Sequence, residues 1–410
     1  MSVLAKYPAL HRPAFARYFA GQVLSGFGTW FQIIAQTLLI LDLTASGTAL
    51  GIAAALQFLP VLLLSPYAGV VADRYEARRI LLFTNVAAAL LALTLAIVAA
   101  THHATARWVW AMALGLGVVQ AFDRPMQGAI LAELVPPESR SNAVGLMSVQ
   151  NASGRMVGPA LAGILYARFG AAVCFFLNAA SFLIIITALL TTRPDERIAR
   201  VRKANTRAMA ELRAGIAYVR ATPALRGPLV CTFVVGAFAF NFLTMPALVT
   251  FTFHGDSRAF GICETLNAGA AVLGGLVIAP RLGRPTRHHL ALAMGGMTVA
   301  LAGNSVMPTL LTFALWMPVL GVLFILFQTT LQATLQSHAS PAYLGRVMSL
   351  YTLGVFGTTP IGAPITGWLI DHVSPRAAMG MGAIATAGCG LWLWLATPHA
   401  IATTHEFAPT

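Results

Sequence analysis

Twelve apolar runs, each close to the length of a bilayer-crossing helix, leave this chain few folds to choose from. Such a helix needs about 20 largely apolar residues. Runs of that order lie near 16–41, 49–72, 79–100, 107–132, 141–166 and 172–191, then near 227–251, 259–280, 289–306, 309–335, 343–370 and 376–396. With 58% of the residues hydrophobic and 10% charged over 410 positions, an ordinary soluble domain is excluded. The expected architecture is an all-α membrane protein: a six-helix bundle over 1–191, a polar linker over 192–226, and a second six-helix bundle with a short tail over 227–410. The basic stretch 1–13 lacks the small-residue cleavage pattern of a secretory signal, so the first run reads as a retained helix.

The formal charge of +13 does not point to nucleic acid, because the basic residues are dispersed among the links between runs. Twenty Lys and Arg side chains fall on one side of the implied bilayer, including Arg74, Arg78, Arg79, Arg140, Arg346 and those of the linker; four fall on the other, Arg107, Arg168, Arg258 and Arg376. The positive-inside rule therefore predicts cytoplasmic termini and a cytoplasmic linker. Within that linker, 204–220 places Met209, Leu212, Ile216 and Val219 on one helical face, with Arg213 and Arg220 away from it. Two readings stand, an amphipathic helix lying on the membrane surface and a solvated charged linker.

A shift of 204 residues places Pro137 on Pro341, Leu146 on Leu350, Gly158 on Gly362 and Gly163 on Gly367. A shift spanning six helices predicts two parallel halves.

Polar residues inside spans are costly on a lipid face and turn toward a cavity or another helix. Gln22, Ser25, Thr29, Gln32 and Gln36 follow steps of three and four along the first span, forming one stripe. It reads either as the wall of a substrate cavity or as a seam of interhelical hydrogen bonds. Asn241, Thr244, Gln328 and Gln332 repeat the idea in the second half. Charges are rarer. Asp123 and Arg124 lie within the fourth span and Arg155 within the fifth, where a carboxylate–guanidinium pairing would relieve the burial cost. Asp123 is then a candidate proton carrier or one end of a fixed ion pair. Glu264 is a second protonatable candidate or a side chain snorkelling to the interface, and Asp42 and Asp371 end their spans as solvated groups. The four cysteines read as small buried residues, and the pairs His102–His103 and His288–His289 as solvated loop histidines; no metal or cofactor site is expected.

Between the second and third spans, the charged stretch Gly69-Val70-Val71-Ala72-Asp73-Arg74-Tyr75-Glu76-Ala77-Arg78-Arg79 resembles the signature loop of the major facilitator superfamily. Gly69, Asp73, Arg74, Arg78 and Arg79 match that pattern, whereas Glu76 and Ala77 stand where the family has its second glycine. In the fifth span Gly154, Gly158, Pro159 and Gly163 resemble the Gly-Pro motif of that superfamily's antiporters, and Gly362-Ala363-Pro364-Ile365-Thr366-Gly367 is a looser copy. Arg17-Tyr18-Phe19-Ala20-Gly21-Gln22, Leu41-Asp42-Leu43-Thr44 and Ala132-Glu133-Leu134-Val135-Pro136-Pro137-Glu138 are similar to the branch holding macrolide-efflux and siderophore-export proteins.

The resemblance implies the major facilitator fold, twelve transmembrane helices in two pseudo-symmetric bundles, as a monomer in a bacterial inner membrane. It implies proton-driven export of a small amphipathic molecule by alternating access, with Asp73 anchoring an inner conformational latch. Members of the branch often carry an acidic residue where Thr29 stands here, which shifts attention to Asp123. A nutrient importer or uniporter is the alternative that the fold equally permits. No enzyme constellation is present: the phosphate-cradling Gly-x-x-x-x-Gly-Lys-Ser/Thr loop, for one, is missing.

Overall fold

A computed structural model describes residues 7–193, 196, 198, 208–239, 243–278 and 286–395. Its α-helices are α1 (Pro13–Thr44), α2 (Gly47–Arg74), α3 (Ala77–Ala100), α4 (Ala106–Leu134), α5 (Arg140–Leu190), α6 (Ala208–Ala221), α7 (Pro223–Phe238), α8 (Thr244–Ala247), α9 (Ser257–Leu273), α10 (Arg287–Val306), α11 (Leu310–His338), α12 (Leu344–Phe356), α13 (Thr359–His372) and α14 (Pro375–Leu395). Among the described residues, eight helical stretches are long and apolar enough to cross a membrane. One of them, running through α5, holds two of the twelve expected spans, which meet at Gly170 (φ 76°, ψ 179°). Only glycine occupies that backbone region without strain, so Gly170 supplies the turn. The eleventh expected span is likewise two helices, α12 and α13, parted at Gly357 and Thr358 just ahead of Pro360.

Two compact units emerge. Unit 1 comprises residues 1–45, 56–208 and 256–265; unit 2 comprises 46–55, 209–255 and 266–410. The opening turns of α2 thus cluster with unit 2 and the first half of α9 with unit 1.

In unit 1, α1 packs along α5, and α3 packs against α4 and α5. Its core gathers Phe15, Tyr18, Leu81, Met126, Ile130 and Ile185. In unit 2, α10 packs against α11 and α14, and α7 against α12. Large side chains facing outward are apolar: Ile384 is 76% exposed and Phe83 74%. On a soluble monomer such a surface would be an aggregation hazard; here it is the lipid-facing side.

The loop linking α2 to α3 turns at Tyr75 and Glu76 with Glu76 at φ −66°, ψ 120°, an ordinary extended conformation. No left-handed residue is needed, which explains how the chain dispenses with the family's second glycine. Glu76 also receives Arg79 in an ion pair of 2.9 Å. Arg78 reaches across to the last turn of α5, where its Nε donates to the Leu189 carbonyl at 2.7 Å and an Nη to that of Leu190 at 3.2 Å. Carbonyls at a helix C-terminus lack intrahelical partners and carry partial negative charge, so a guanidinium suits them. Gly69, Asp73 and Arg74 lie on the last turns of α2, but their side chains lie outside the described residues, as does the whole of Asn241.

Candidate functional site

The most distinctive polar site in unit 1 is centred on Asp123, midway along α4. Thr84 Oγ1 donates to Asp123 Oδ1 at 2.8 Å, Asn85 Nδ2 donates to the same oxygen at 3.2 Å, and Gln127 Nε2 donates to Oδ2 at 2.6 Å. The helical period explains the arrangement: Asp123 and Gln127 are one turn apart on α4, while adjacent Thr84 and Asn85 approach from α3. Thr84 and Asn85 are themselves buried, each 4% exposed. The carboxylate is half-buried and Arg124 beside it is exposed. From α1, Tyr18 is fully buried within electrostatic reach of Asp123, and its hydroxyl accepts from Gln22 Nε2 at 2.8 Å.

Three neutral donors thus reach this carboxylate, beside the guanidinium for which the sequence predicts a pairing. Arg124 is within electrostatic reach of Asp123, and Arg155 lies half-buried on α5. Glu264 is half-buried on α9.

The polar stripe of α1 divides. Gln22, Ser25, Gln32 and Gln36 are buried, and Thr29 is half-buried with its hydroxyl returned to the Ser25 carbonyl at 2.9 Å. Gln32 Oε1 accepts from Asn178 Nδ2 on the second arm of α5, and Ser181 Oγ donates to the Asn178 carbonyl. Gly28 makes this approach possible: a Cβ there would lie 2.5 Å from Ser181 Oγ and 2.6 Å from Asn178 Oδ1. Around Gln32, then, the stripe is an interhelical seam, whereas Gln22 belongs to the environment of Tyr18 and Asp123. The Gly-Pro motif of α5 performs a packing task on the next face of α1. A Cβ on Gly158 would lie 2.5 Å from Trp30 Cβ and one on Gly154 3.3 Å from Trp30 Cδ1, so the indole occupies the groove that the glycines leave. Pro159 is buried beside them, and Gly163 backs onto Gly261 of α9, whose Cα would be 2.6 Å from an added Cβ.

In unit 2, Gln332 Nε2 donates to the Tyr351 hydroxyl at 2.9 Å, joining α11 to α12. Gln328 is half-buried one turn earlier, and Thr244 is buried in α8.

The reading of Asp42 and Asp371 as merely solvated needs correction. Both are exposed, yet Asp42 accepts from the Tyr166 hydroxyl at 2.5 Å. Asp371 accepts from Ser46 Oγ at 2.7 Å and from the backbone N–H groups of Gly47 at 2.5 Å and Thr48 at 2.9 Å. Those orphan N–H groups at the start of α2 are a natural seat for an anion. Gly47 and Gly367 permit the approach, since an added Cβ on Gly367 would lie 2.3 Å from the Gly47 carbonyl oxygen. His289, read as a solvated loop residue, caps α10 reciprocally with Thr286.

At the other end of unit 1, Glu196 accepts from the backbone N–H of Arg193 at 2.9 Å and pairs with Arg17 at 2.5 Å. Those hydrogen bonds, the Arg193 N–H first and then the Arg17 guanidinium, hold its carboxyl below the usual carboxylate range. A depressed folded-state value means that the tie stabilises the protein above the ordinary carboxylate range and is lost as pH falls through the depressed value. Melting profiles of Glu196→Gln and wild type in detergent should therefore differ near neutrality and converge on acidification; curves that stay parallel would remove this role.

Sequence reasoning missed Thr84, Asn85, Gln127, Tyr18 and Asn178. A census of polar residues in the third, fourth and sixth spans would have found all but Tyr18, and the four-residue step from Asp123 to Gln127 was visible.

The family model for transmembrane secretion effectors matches residues 4–404. The Staphyloferrin A transporter of Staphylococcus aureus is 26% identical over 84% of this chain and 87% of its own length. Macrolide efflux protein A of Streptococcus pyogenes is 24% identical over 88% of this chain and 90% of its own length. Among solved structures, the POT family transporter PepTSo superposes with a TM-score of 0.73 at 12% identity, covering 94% of this chain and 97% of that one. A bacterial homologue of the human lysosomal transporter Spinster gives 0.67 at 15% identity, covering 95% of each chain. At such identities the structural likenesses speak to the fold alone.

Proposed function

This chain belongs to the transmembrane secretion effector family of the major facilitator superfamily and is a multi-pass membrane transporter, and from that premise we propose that it exports a small amphipathic compound, a siderophore or drug-like molecule, in exchange for protons. The observation that carries the coupling is the set of partners around Asp123: Thr84, Asn85 and Gln127 are all neutral. A carboxylate locked to a buried guanidinium loses its charge only at a large cost. One held by an amide and a hydroxyl has an alternative. On protonation, Oδ1 still accepts from Thr84 and Asn85, while the new O–H on Oδ2 donates to Gln127 once that amide rotates to present its oxygen. Either protonation state is satisfied without moving the helices. In this reading Arg124, exposed beside the carboxylate, meets an anionic substrate whose arrival or departure alters the electrostatic balance at Asp123.

Export is the direction assigned, on the relatives' macrolide efflux and on the antiporter-like glycines of α5. Energised cells carrying the gene should hold less labelled macrolide than a deletion strain, or release more iron-chelating activity into the medium. Net uptake relative to the deletion strain, for either class of compound, would overturn the assignment. The placement proposed with it is a bacterial inner membrane, as the bacterial relatives suggest, with both termini on the arginine-rich side by the distribution of Lys and Arg and the protein working as a monomer.

A further inference from the structure

Helix α6 meets α7 at 118°, with Thr222 as the only residue between them. If α7 opens the seventh span, α6 does not continue it and instead runs close to the plane of the bilayer surface. It is fixed there from one side. The Tyr218 hydroxyl accepts from the backbone N–H of Ser340 at 3.0 Å, and the Tyr218 ring stacks on Tyr343 with centroids 4.2 Å apart and planes 8° apart. Arg346 lies over the other partner of this stack, 5.0 Å from the Tyr343 centroid, and Gly215 is buried where a Cβ would lie 3.2 Å from Arg346 Cβ. All these residues belong to unit 2.

Helical geometry then decides what α6 offers on its remaining surface. Successive residues advance by 100°, so the docked edge of Gly215 and Tyr218 is followed around the helix by Leu212, Ile216 and Val219, and these by Arg213 and Arg220. Ile216, Arg213 and Arg220 are exposed, and Leu212 and Val219 are half-buried. The apolar strip is therefore not consumed by docking, and it has a cationic border on the side away from the docked edge. Arg226 extends that charge while its guanidinium donates to the Arg220 carbonyl at the end of α6. Acidic residues that could neutralise it are scarce: unit 2 contains Glu211, Asp371 and Glu406 against eight arginines.

We propose that this free side of α6 binds anionic phospholipid, with Ile216 entering the acyl boundary and Arg213 and Arg220 meeting phosphate oxygens. An apolar strip edged by guanidinium groups, on a helix turned into the surface plane, matches the chemistry of a charged bilayer interface. The turn between α11 and α12, which carries Ser340 and Tyr343, is bolted to the same helix. Lipid bound to α6 is thus one contact removed from the ends of two spanning elements of unit 2.

The test uses the full chain released from mixed micelles into a mass spectrometer while dioleoyl-phosphatidylglycerol or dioleoyl-phosphatidylcholine is titrated. Wild type should retain phosphatidylglycerol preferentially, and Arg213→Gln with Arg220→Gln should weaken that retention about five-fold for each charge removed, leaving phosphatidylcholine unchanged. Equal retention by the double variant and wild type would overturn the proposal. So would a wild type that holds both lipids alike. In vesicles containing phosphatidylglycerol, a nitroxide on Ile216→Cys should collide more with oxygen than with a water-soluble nickel chelate; the four native cysteines are buried and do not compete for the label. The reverse ranking would place Ile216 in water and exclude the surface assigned here.

Discussion

Asp123→Asn is expected to abolish proton-driven efflux, leaving cells no more protected than those lacking the gene, while the protein still folds and reaches the membrane. Asparagine retains an oxygen for Thr84 and Asn85, and Gln127 can rotate to accept from the new amide, so the hydrogen-bond count is conserved. The stability change should accordingly stay within about 1 kcal/mol, and detergent melting curves should nearly superimpose. What the variant cannot do is release and rebind a proton. Counterflow between internal and external substrate, which needs no net proton movement, should persist. If efflux in the variant still follows an imposed pH gradient, Asp123 is a fixed polar anchor and the coupling resides elsewhere, with Glu264 next in line.

The second large effect is on folding. Gly362→Ala, at the head of α13, should lower the melting temperature in detergent by several degrees and reduce the yield of monodisperse protein. A Cβ at Gly362 would lie 1.8 Å from the Ala237 carbonyl oxygen, 2.6 Å from its carbon and 2.9 Å from its Cα. All three are backbone atoms of α7, so no side chain can rotate away and the two helices must part. Overpacking of this kind costs up to about 3 kcal/mol and occasionally more. Gly388→Ala in α14 is the matched control, because an added Cβ there meets nothing within 4 Å; it should be neutral or slightly stabilising. Equal behaviour of the two variants would mean that α7 and α13 are not held as closely as the structure has them.

Gly362 also illustrates how far the sequence reaches. The 204-residue repeat makes it the counterpart of Gly158, and both glycines sit where another helix comes within van der Waals contact. Their partners differ, a tryptophan side chain at Gly158 and a carbonyl at Gly362, and nothing in the repeat foretold that. The stripe on α1 behaves similarly. Its five members share a face by periodicity alone, yet whether a given amide meets a neighbouring helix or a tyrosine depends on what stands opposite. Gln32 meets Asn178, 146 positions away, and Gln22 meets Tyr18 one turn back on its own helix.

The sequence by itself determined the class: apolar runs of bilayer length are a one-dimensional property, and the solvent enforces them because a backbone in lipid must satisfy its own hydrogen bonds. It also determined the family, through short motifs whose spacing survives in the linear text, and the rarity of charge within spans singled out Asp123. Only the tertiary structure decided what Asp123 touches, since Thr84 and Asn85 come from a different helix. It alone showed Asp371 seated on the first N–H groups of α2, 324 positions further along the chain than Gly47. The physical reason is common to both. Burial cost depends on the partners that reach a group in space, and residues on separate helices become partners only when packing sets the distance and rotation between those helices.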